Sequence, residues 1–338
     1  MQKKLLAAVV TSLVASQAMA VAVVDDGTSK FEIGGHVGAR YQIVDSGDAE
    51  AVGDSSRINI SGESKLNDTV TAFAEIEYGF STTNNGDTVD DFTARLGYVG
   101  VKSDKLGSLT LGKQWSSYYT VAGWTDMFAT TGGDAVGVYN NHEINGTGRP
   151  DDAIQYNISA NGLNVSAQYQ VADADSDTAA NPDQKDRKSS YGLAVSYDLP
   201  MGLSFGATYN EARFDDDFAE AKASALAVKY AQGPIYAAAT YAKMENHATI
   251  STVDLEKAVG MELYVSYQLN DNFKLETGYN QLESDNNLNT DTELKYIPVG
   301  VVYNYGAIQL SGIYQFENTK VDGEDKEDKV ILQARYYF

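Results

Sequence analysis

Residues 31–43 read FEIGGHVGARYQI. Phe31, Ile33, Val37, Tyr41 and Ile43 fall on odd positions, and Glu32, His36, Arg40 and Gln42 on even ones. A period of two puts the apolar set on one face of a strand and the polar set on the other. The rhythm returns in Leu163, Val165, Ala167, Tyr169 and Val171 against Asn164, Ser166, Gln168 and Gln170. It returns in Val259, Met261, Leu263, Val265 and Tyr267 against Glu262, Tyr264, Ser266 and Gln268. The last stretch sets Val330, Leu332, Ala334, Tyr336 and Phe338 against Ile331, Gln333, Arg335 and Tyr337. No long stretch carries the helical period, so the chain reads as nearly all β.

The connections alternate in length. Tight-turn residues cluster at 66–68, 103–105, 161–162, 199–202, 232–234, 270–272 and 304–306. Longer polar stretches lie near 45–55, 81–91, 115–148, 172–188, 212–221, 244–256, 281–292 and 317–328. Seven turns and eight loops require sixteen strands.

The first twenty residues read as an address. Lys3 and Lys4 precede a short apolar run from Leu5 to Val14, and Ala18-Met19-Ala20 has the small-x-small form of a cleavage site. Residues 1–20 are therefore expected to be a signal peptide, and residues 21–338 the mature domain. Its removal leaves 318 residues, or about 20 per strand and connection, which suits strands of roughly ten residues. The full chain carries 47 acidic and 25 basic side chains. Losing two lysines takes its charge from −22 to −24. Such a balance excludes nucleic acid, which needs a basic face.

Both a soluble sandwich and a membrane barrel alternate polar with apolar. A sandwich would show water a face rich in Lys and Glu. Here the polar face is mostly Gly, Ala, Ser, Thr, Asn and Gln, while charge collects in loops such as 215–217 and 322–328. Tyr78, Tyr169, Tyr191, Tyr209, Tyr241, Tyr267, Tyr279 and Tyr303 lie on the apolar face near strand ends, as an interfacial girdle requires. In lipid every strand edge must be paired, so the sheet closes. Sixteen strands then enclose a lumen too wide for side chains to fill. The fold expected is a transmembrane antiparallel β-barrel of about sixteen strands.

Tyr336-Tyr337-Phe338 ends the final strand on an aromatic, and Tyr336 and Phe338 resemble the signal read by outer-membrane assembly machinery. Ordered motifs extend the likeness: SRINISG at 56–62, AEIEY at 74–78, ARLGYVG at 94–100 and LGKQ at 111–114. They are followed by WTDM at 124–127, GGD at 132–134, Gly148-Arg149 and IQY at 154–156. In order and spacing they resemble the Gram-negative general porins, trimeric sixteen-stranded diffusion channels. The resemblance implies an outer-membrane location, a homotrimer, contact with lipopolysaccharide and other outer-membrane lipids, and passage of small polar solutes and ions without a cofactor.

Residues 115–148 exceed what a hairpin needs, and such loops are usually functional. By the resemblance this third loop folds into the barrel and narrows it. Asp126 and Asp134 would face the lumen from the loop, and His36, Arg57, Lys113 and Arg149 would form the opposing wall. Arg40 shares parity with His36, and Arg57 with Asn59 and Ser61, so alternation turns both inward. Charge on the lipid face would cost about 2–4 kcal/mol at the midplane, which supports that assignment. Glu77 is an inward carboxylate able to tether the arginines. Two departures from the family pattern stand out. Ala129-Thr130-Thr131 replaces its Pro-Glu-Phe, and Lys113 shares parity with outward Leu109 and Leu111. Lys113 reaches the lumen only if the strand bulges or ends near Gly112.

Opposed charges across a narrow aqueous gap create a transverse field that favours polar solutes. The acidic loops predict modest cation selectivity. A sugar-specific channel would want a line of inward aromatics, but Phe73, Tyr236, Tyr264 and Tyr337 are scattered. A surface-interaction role is the other alternative, although the acidic runs lack calcium-loop spacing. Zero cysteines and three histidines (His36, His142, His247) leave no positioned base or metal set for an enzyme. Asp90-Asp91 and Asp151-Asp152 read as loop solvation or turn chemistry.

Overall fold

The computed structural model describes residues 20–82, 92–173, 186–215, 218–285 and 291–338. The expected leader, apart from Ala20, lies outside the described residues, as do Asp90, Asp91, Asp216 and Asp217.

Sixteen staves run in chain order: β1 Ser29–Val44, β2 Ser56–Lys65, β3 Thr71–Phe80, β4 Thr93–Ser103, β5 Gly107–Lys113, β6 Ala153–Ala160, β7 Leu163–Gln170 and β8 Arg187–Asp198. They continue as β9 Leu203–Phe214, β10 Ala221–Gln232, β11 Ile235–Ile250, β12 Val253–Gln268, β13 Phe273–Ser284, β14 Leu294–Tyr305, β15 Ile308–Glu317 and β16 Lys329–Tyr337. Each pairs antiparallel with the next. β16 pairs back onto β1, from His36↔Tyr337 to Val44↔Lys329, so the sheet is a closed barrel. Below that register the short strand Val21–Asp25 takes over the same edge of β1. The Phe338 N–H donates to the Gly35 carbonyl at 3.1 Å, and the Gly35 N–H donates to the Phe338 carbonyl at 3.0 Å. Both chain regions thus share one stave position and leave β1 no open edge, as lipid requires.

The alternation is realised side chain by side chain. Leu193, Leu226, Val99 and Tyr336 stand exposed on the outer surface, whereas Ser166, Gln168, Gln170 and Glu262 face inward and are buried. All seven short turns fall where turn residues cluster. One long connection does not. The stretch 244–256, expected as a loop, is mostly strand, with Ala248↔Leu255 and Ile250↔Val253 paired across a turn at Ser251. Met244, Ala248, Ile250 and Leu255 are buried, and His247, expected in a loop, stands on β11 with them. The polar character of the stretch hid this apolar inner face. Asp151 and Asp152 pair with the buried Arg187 at 3.1 and 3.5 Å. They are a structural clamp on β8.

The hydrophobic core lies inside the barrel. Tyr118, Tyr119, Ala122, Ala135, Val136 and Val138 of the long β5–β6 connection pack on Ala223, Ala225, Ala242, Met244, Ala258 and Leu282 of β10–β13. A second cluster packs Val121 and Trp124 on Ala194, Ala227 and Ala238. Small inward side chains let the connection approach the wall. At Gly260 a Cβ would come within 1.8 Å of the Ala135 carbonyl oxygen, so only glycine fits there.

Candidate functional site

The β5–β6 connection contains two single-turn helices, α1 Tyr119–Ala122 and α2 His142–Asn145. Its polar groups are met by inward-facing side chains. Glu262 of β12 accepts from the Thr125 hydroxyl at 2.5 Å and from the Ala135 N–H at 2.8 Å. Tyr236 donates to the Trp124 carbonyl at 2.7 Å. Gln168 bridges both ends of the segment, accepting from the Ser117 N–H and donating to the Gly146 carbonyl. His247 Nε2 lies 2.7 Å from the Gly137 carbonyl oxygen. At the tip, Glu276 accepts from the Ala129 N–H at 3.2 Å, while Gln333 and Arg40 donate to the Ala129 and Thr130 carbonyls at 3.1 and 2.9 Å. These partners face the lumen, so the segment crosses from the β7–β13 wall to β1 and β16.

The expected site residues divide into three groups. Arg57 and Glu77 stand together. Arg57 approaches Glu77 at 3.6 Å, and the other Glu77 oxygen accepts from Asn59 at 2.5 Å. His36 is the register partner of Arg57 and tilts against Tyr337 with ring centroids 5.3 Å apart. Arg149 lies over the Trp115 ring at 5.3 Å, and Trp115 stacks on Tyr119 at 4.0 Å. Among the described residues no carboxylate lies within ion-pair distance of Arg149. Burial, then Arg95, lowers its pKa.

Lys113 is turned by its neighbour. Gly112 sits at φ +118°, and a Cβ there would meet the Gly97 carbonyl oxygen at 2.3 Å. The broken alternation brings Lys113 inward to Glu143 of α2, 2.6 Å away. Arg40 belongs with the tip of the segment.

The two loop carboxylates are capped by phenols. Asp126 accepts from Tyr119 at 2.8 Å and Tyr139 at 2.5 Å, and Asp134 accepts from Tyr296 at 2.6 Å. Burial raises the Asp126 pKa, and the two hydroxyls partly offset it. Tyr336 faces outward at the barrel surface, and Phe338 closes on Gly35.

Two further cations share the wall. Arg95 contacts Glu77 at 2.5 Å because β4 bulges opposite Glu77 and Tyr78. Its parity with outward Val99 and Val101 concealed it, and only the bulge reveals it. Arg335 lies 3.8 Å from the buried Asp54 and donates to the Asp54 carbonyl at 3.0 Å. Its inward parity was legible. Tyr236 and Tyr264 are not a sugar track: Tyr236 holds Trp124, and Tyr264 packs edge-on against Phe128 at 4.6 Å.

Comparison with known proteins agrees with this geometry. The Gram-negative porin family matches residues 6–304 and 214–338 in two overlapping segments. Outer membrane porin F of Xenorhabdus nematophila is 28% identical over 100% of this chain and 98% of its own length. The structure of Salmonella typhi OmpF in complex with daunomycin superposes with a TM-score of 0.80 at 21% identity, covering 94% of this chain and 100% of that one. The trimer form of OmpT from Vibrio cholerae gives a TM-score of 0.68 at 17% identity, covering 92% and 100%. Closed barrel, inward polar face and full-length family match lead to one conclusion: the chain belongs to the Gram-negative porins, passive channels of the outer membrane and not enzymes.

Proposed function

We propose that the chain is a general diffusion channel for small hydrophilic solutes and ions, with modest cation selectivity. The constriction lies between the loop segment and the wall carrying His36, Arg57, Lys113 and Arg149, to which we add Arg95 and Arg335. The observation that carries this reading is the wall of guanidinium groups, with Arg57 and Arg95 on Glu77 and Arg335 on Asp54, facing a loop segment held on the opposite staves. Polar solutes exchange water for wall contacts, whereas apolar solutes strip ordered water without replacing its hydrogen bonds. Solute binding stays weak enough for exit. The acidic outer loops of a chain with net charge −22 enrich cations at the mouth, and salt screens this over a Debye length of about 8 Å. The test is the reversal potential across a planar bilayer under a KCl gradient. Cation preference is expected, and anion preference rejects it.

The same reading makes residues 1–20 a cleaved signal peptide. N-terminal sequencing of the mature protein should begin at Val21. It makes the channel a homotrimer in contact with lipopolysaccharide, assembled by machinery that reads Tyr336 and Phe338. Three equal closing steps per insertion event test the trimer.

A further inference from the structure

The short turns close the barrel on the side opposite the long loops, and just inside that mouth stands a cation outside the guanidinium wall. Lys229 shares parity with the buried Ala225 and Ala227, so it faces inward from β10, close to the turn at 232–234. Its ammonium lies over the Trp124 ring at 4.5 Å. Gly206 of β9 leaves that ring its place, since a Cβ there would meet it at 2.9 Å.

Among the described residues no carboxylate lies within ion-pair distance of Lys229. Asp198 stands in the same row but two strands away, because Ser204 pairs with both Asp198 and Lys229. That is about 10 Å across the sheet. Both Asp198 oxygens are engaged, one by the Ser204 hydroxyl at 2.6 Å and the other by the Asn164 amide at 2.9 Å. Lys274, the inward lysine of β13, is neutralised: its ammonium lies 2.8 Å from Glu276 and donates to the Tyr264 hydroxyl at 3.2 Å. Rings fill the space between the two lysines. Tyr236 donates to the Trp124 carbonyl, and its ring meets that of Tyr264 at 5.8 Å. Lys229 and Tyr236 are only half-buried, so both keep surface open to the lumen. An ammonium has three donors, and the indole face covers one side of it without neutralising its charge. The unpaired cation calls for an anion. The apolar faces of Trp124 and Tyr236 beside it favour an anion carried on a flat apolar body over chloride.

We propose that Lys229, Trp124 and Tyr236 form a weak subsite for small aromatic carboxylates at the short-turn mouth of the lumen. The proposal rests on the channel reading and adds to it a second station, beyond the guanidinium wall. Occupancy places the carboxylate on Lys229 Nζ and the ring of the solute against Tyr236. Organic anions thereby gain a cationic foothold on the exit side of a channel whose long-loop mouth favours cations. Asp198 opposes their binding through its charge.

The test is single-channel recording of the outer-membrane-extracted protein, with sodium benzoate as the probe. Added on the short-turn side, it should produce brief, saturable current blocks, with benzamide as the uncharged control producing none. Lys229→Gln should raise the half-blocking concentration about tenfold, the usual effect of losing one charge-assisted hydrogen bond. Lys229→Arg, which keeps the charge, should hold it within about threefold of the native value. Asp198→Asn should lower it about twofold, as expected for a unit charge at about 10 Å in water. Mere damage to the fold would not give that direction. Equal block of the native protein and K229Q, or equal block by benzamide, overturns the subsite. So does block that survives K229Q and is lost in Arg57→Ser, which places the anion on the guanidinium wall. KCl conductance without any benzoate block rejects the subsite alone, whereas absence of KCl conductance rejects the channel reading beneath it.

Discussion

The inner wall of this barrel has two contrasting halves. On β2–β4 the inward side chains include Arg57, Glu77 and Arg95, a charged cluster in which the buried Glu77 pairs with two guanidinium groups, Arg57 being the more exposed of them at 25%. On β8–β13 they include Ala194, Ala223, Ala225, Ala238, Ala242 and Gly260, covered by the loop segment. Both halves obey the same alternation, but the second places small side chains and glycine where the loop segment lies closest. One stays wet because its groups are charged. The other is dry because its side chains are too small to hold the loop away, so Tyr118, Val136 and Val138 bury their surface against it. A porin of this kind has a hydrophobic core, and the core seats the long β5–β6 segment.

The largest expected effect breaks the dry half. Gly260→Val drives methyl groups into the Ala135 carbonyl, and overpacking costs about 1–3 kcal/mol. The loop segment should shift, changing single-channel conductance and admitting larger sugars in a vesicle-swelling assay. Unchanged conductance and sugar cutoff would mean the loop does not depend on this seat.

Glu262→Leu comes next. It orphans the Ala135 N–H, at about 1–3 kcal/mol if that group stays buried, and leaves the Thr125 hydroxyl only its longer contacts with Thr240 and the Ala122 carbonyl at 3.3 and 3.4 Å. The thermal unfolding midpoint should fall and open-channel noise rise.

On the wet half, Arg57→Ser should act on selectivity instead. Glu77 keeps Arg95 and Asn59, so little stability is lost. A unit charge at ~10 Å in water is worth roughly 0.4 kcal/mol, or about twofold for each ion with opposite sign, and so about fourfold in the potassium-to-chloride permeability ratio. A reversal potential moving toward cations with a steady unfolding midpoint sharpens the contrast, and the opposite pattern breaks it.

The last effect is confined to acidic pH. His142 accepts from the Arg149 N–H at 3.2 Å, and burial, with Arg149 and Lys113 nearby, lowers its pKa from 6.5 to about 3. The unfolded chain binds a proton below 6.5 that the folded loop refuses until about 3. This contribution to stability is therefore intact above 6.5 and declines as pH falls toward 3. His142→Gln should flatten that part of the pH profile of the unfolding midpoint.

Alternation and turn spacing made the strand number, the closed sheet and the inward placement of Arg57, Arg40 and Arg335 legible. These are local: a period of two fixes which face a side chain takes wherever a strand runs regularly. The misses are places where regularity ends. Arg95 is turned inward by a bulge, Lys113 by Gly112, and β11 and β12 run past the expected strand ends because loop residues cover them.

By itself the sequence determined the barrel, because lipid outside and water inside impose one pattern on every stave. Only the tertiary structure decided which inward residues would stay wet and which would become a core. That choice depends on where one long connection, remote in sequence from β8–β13, comes to rest.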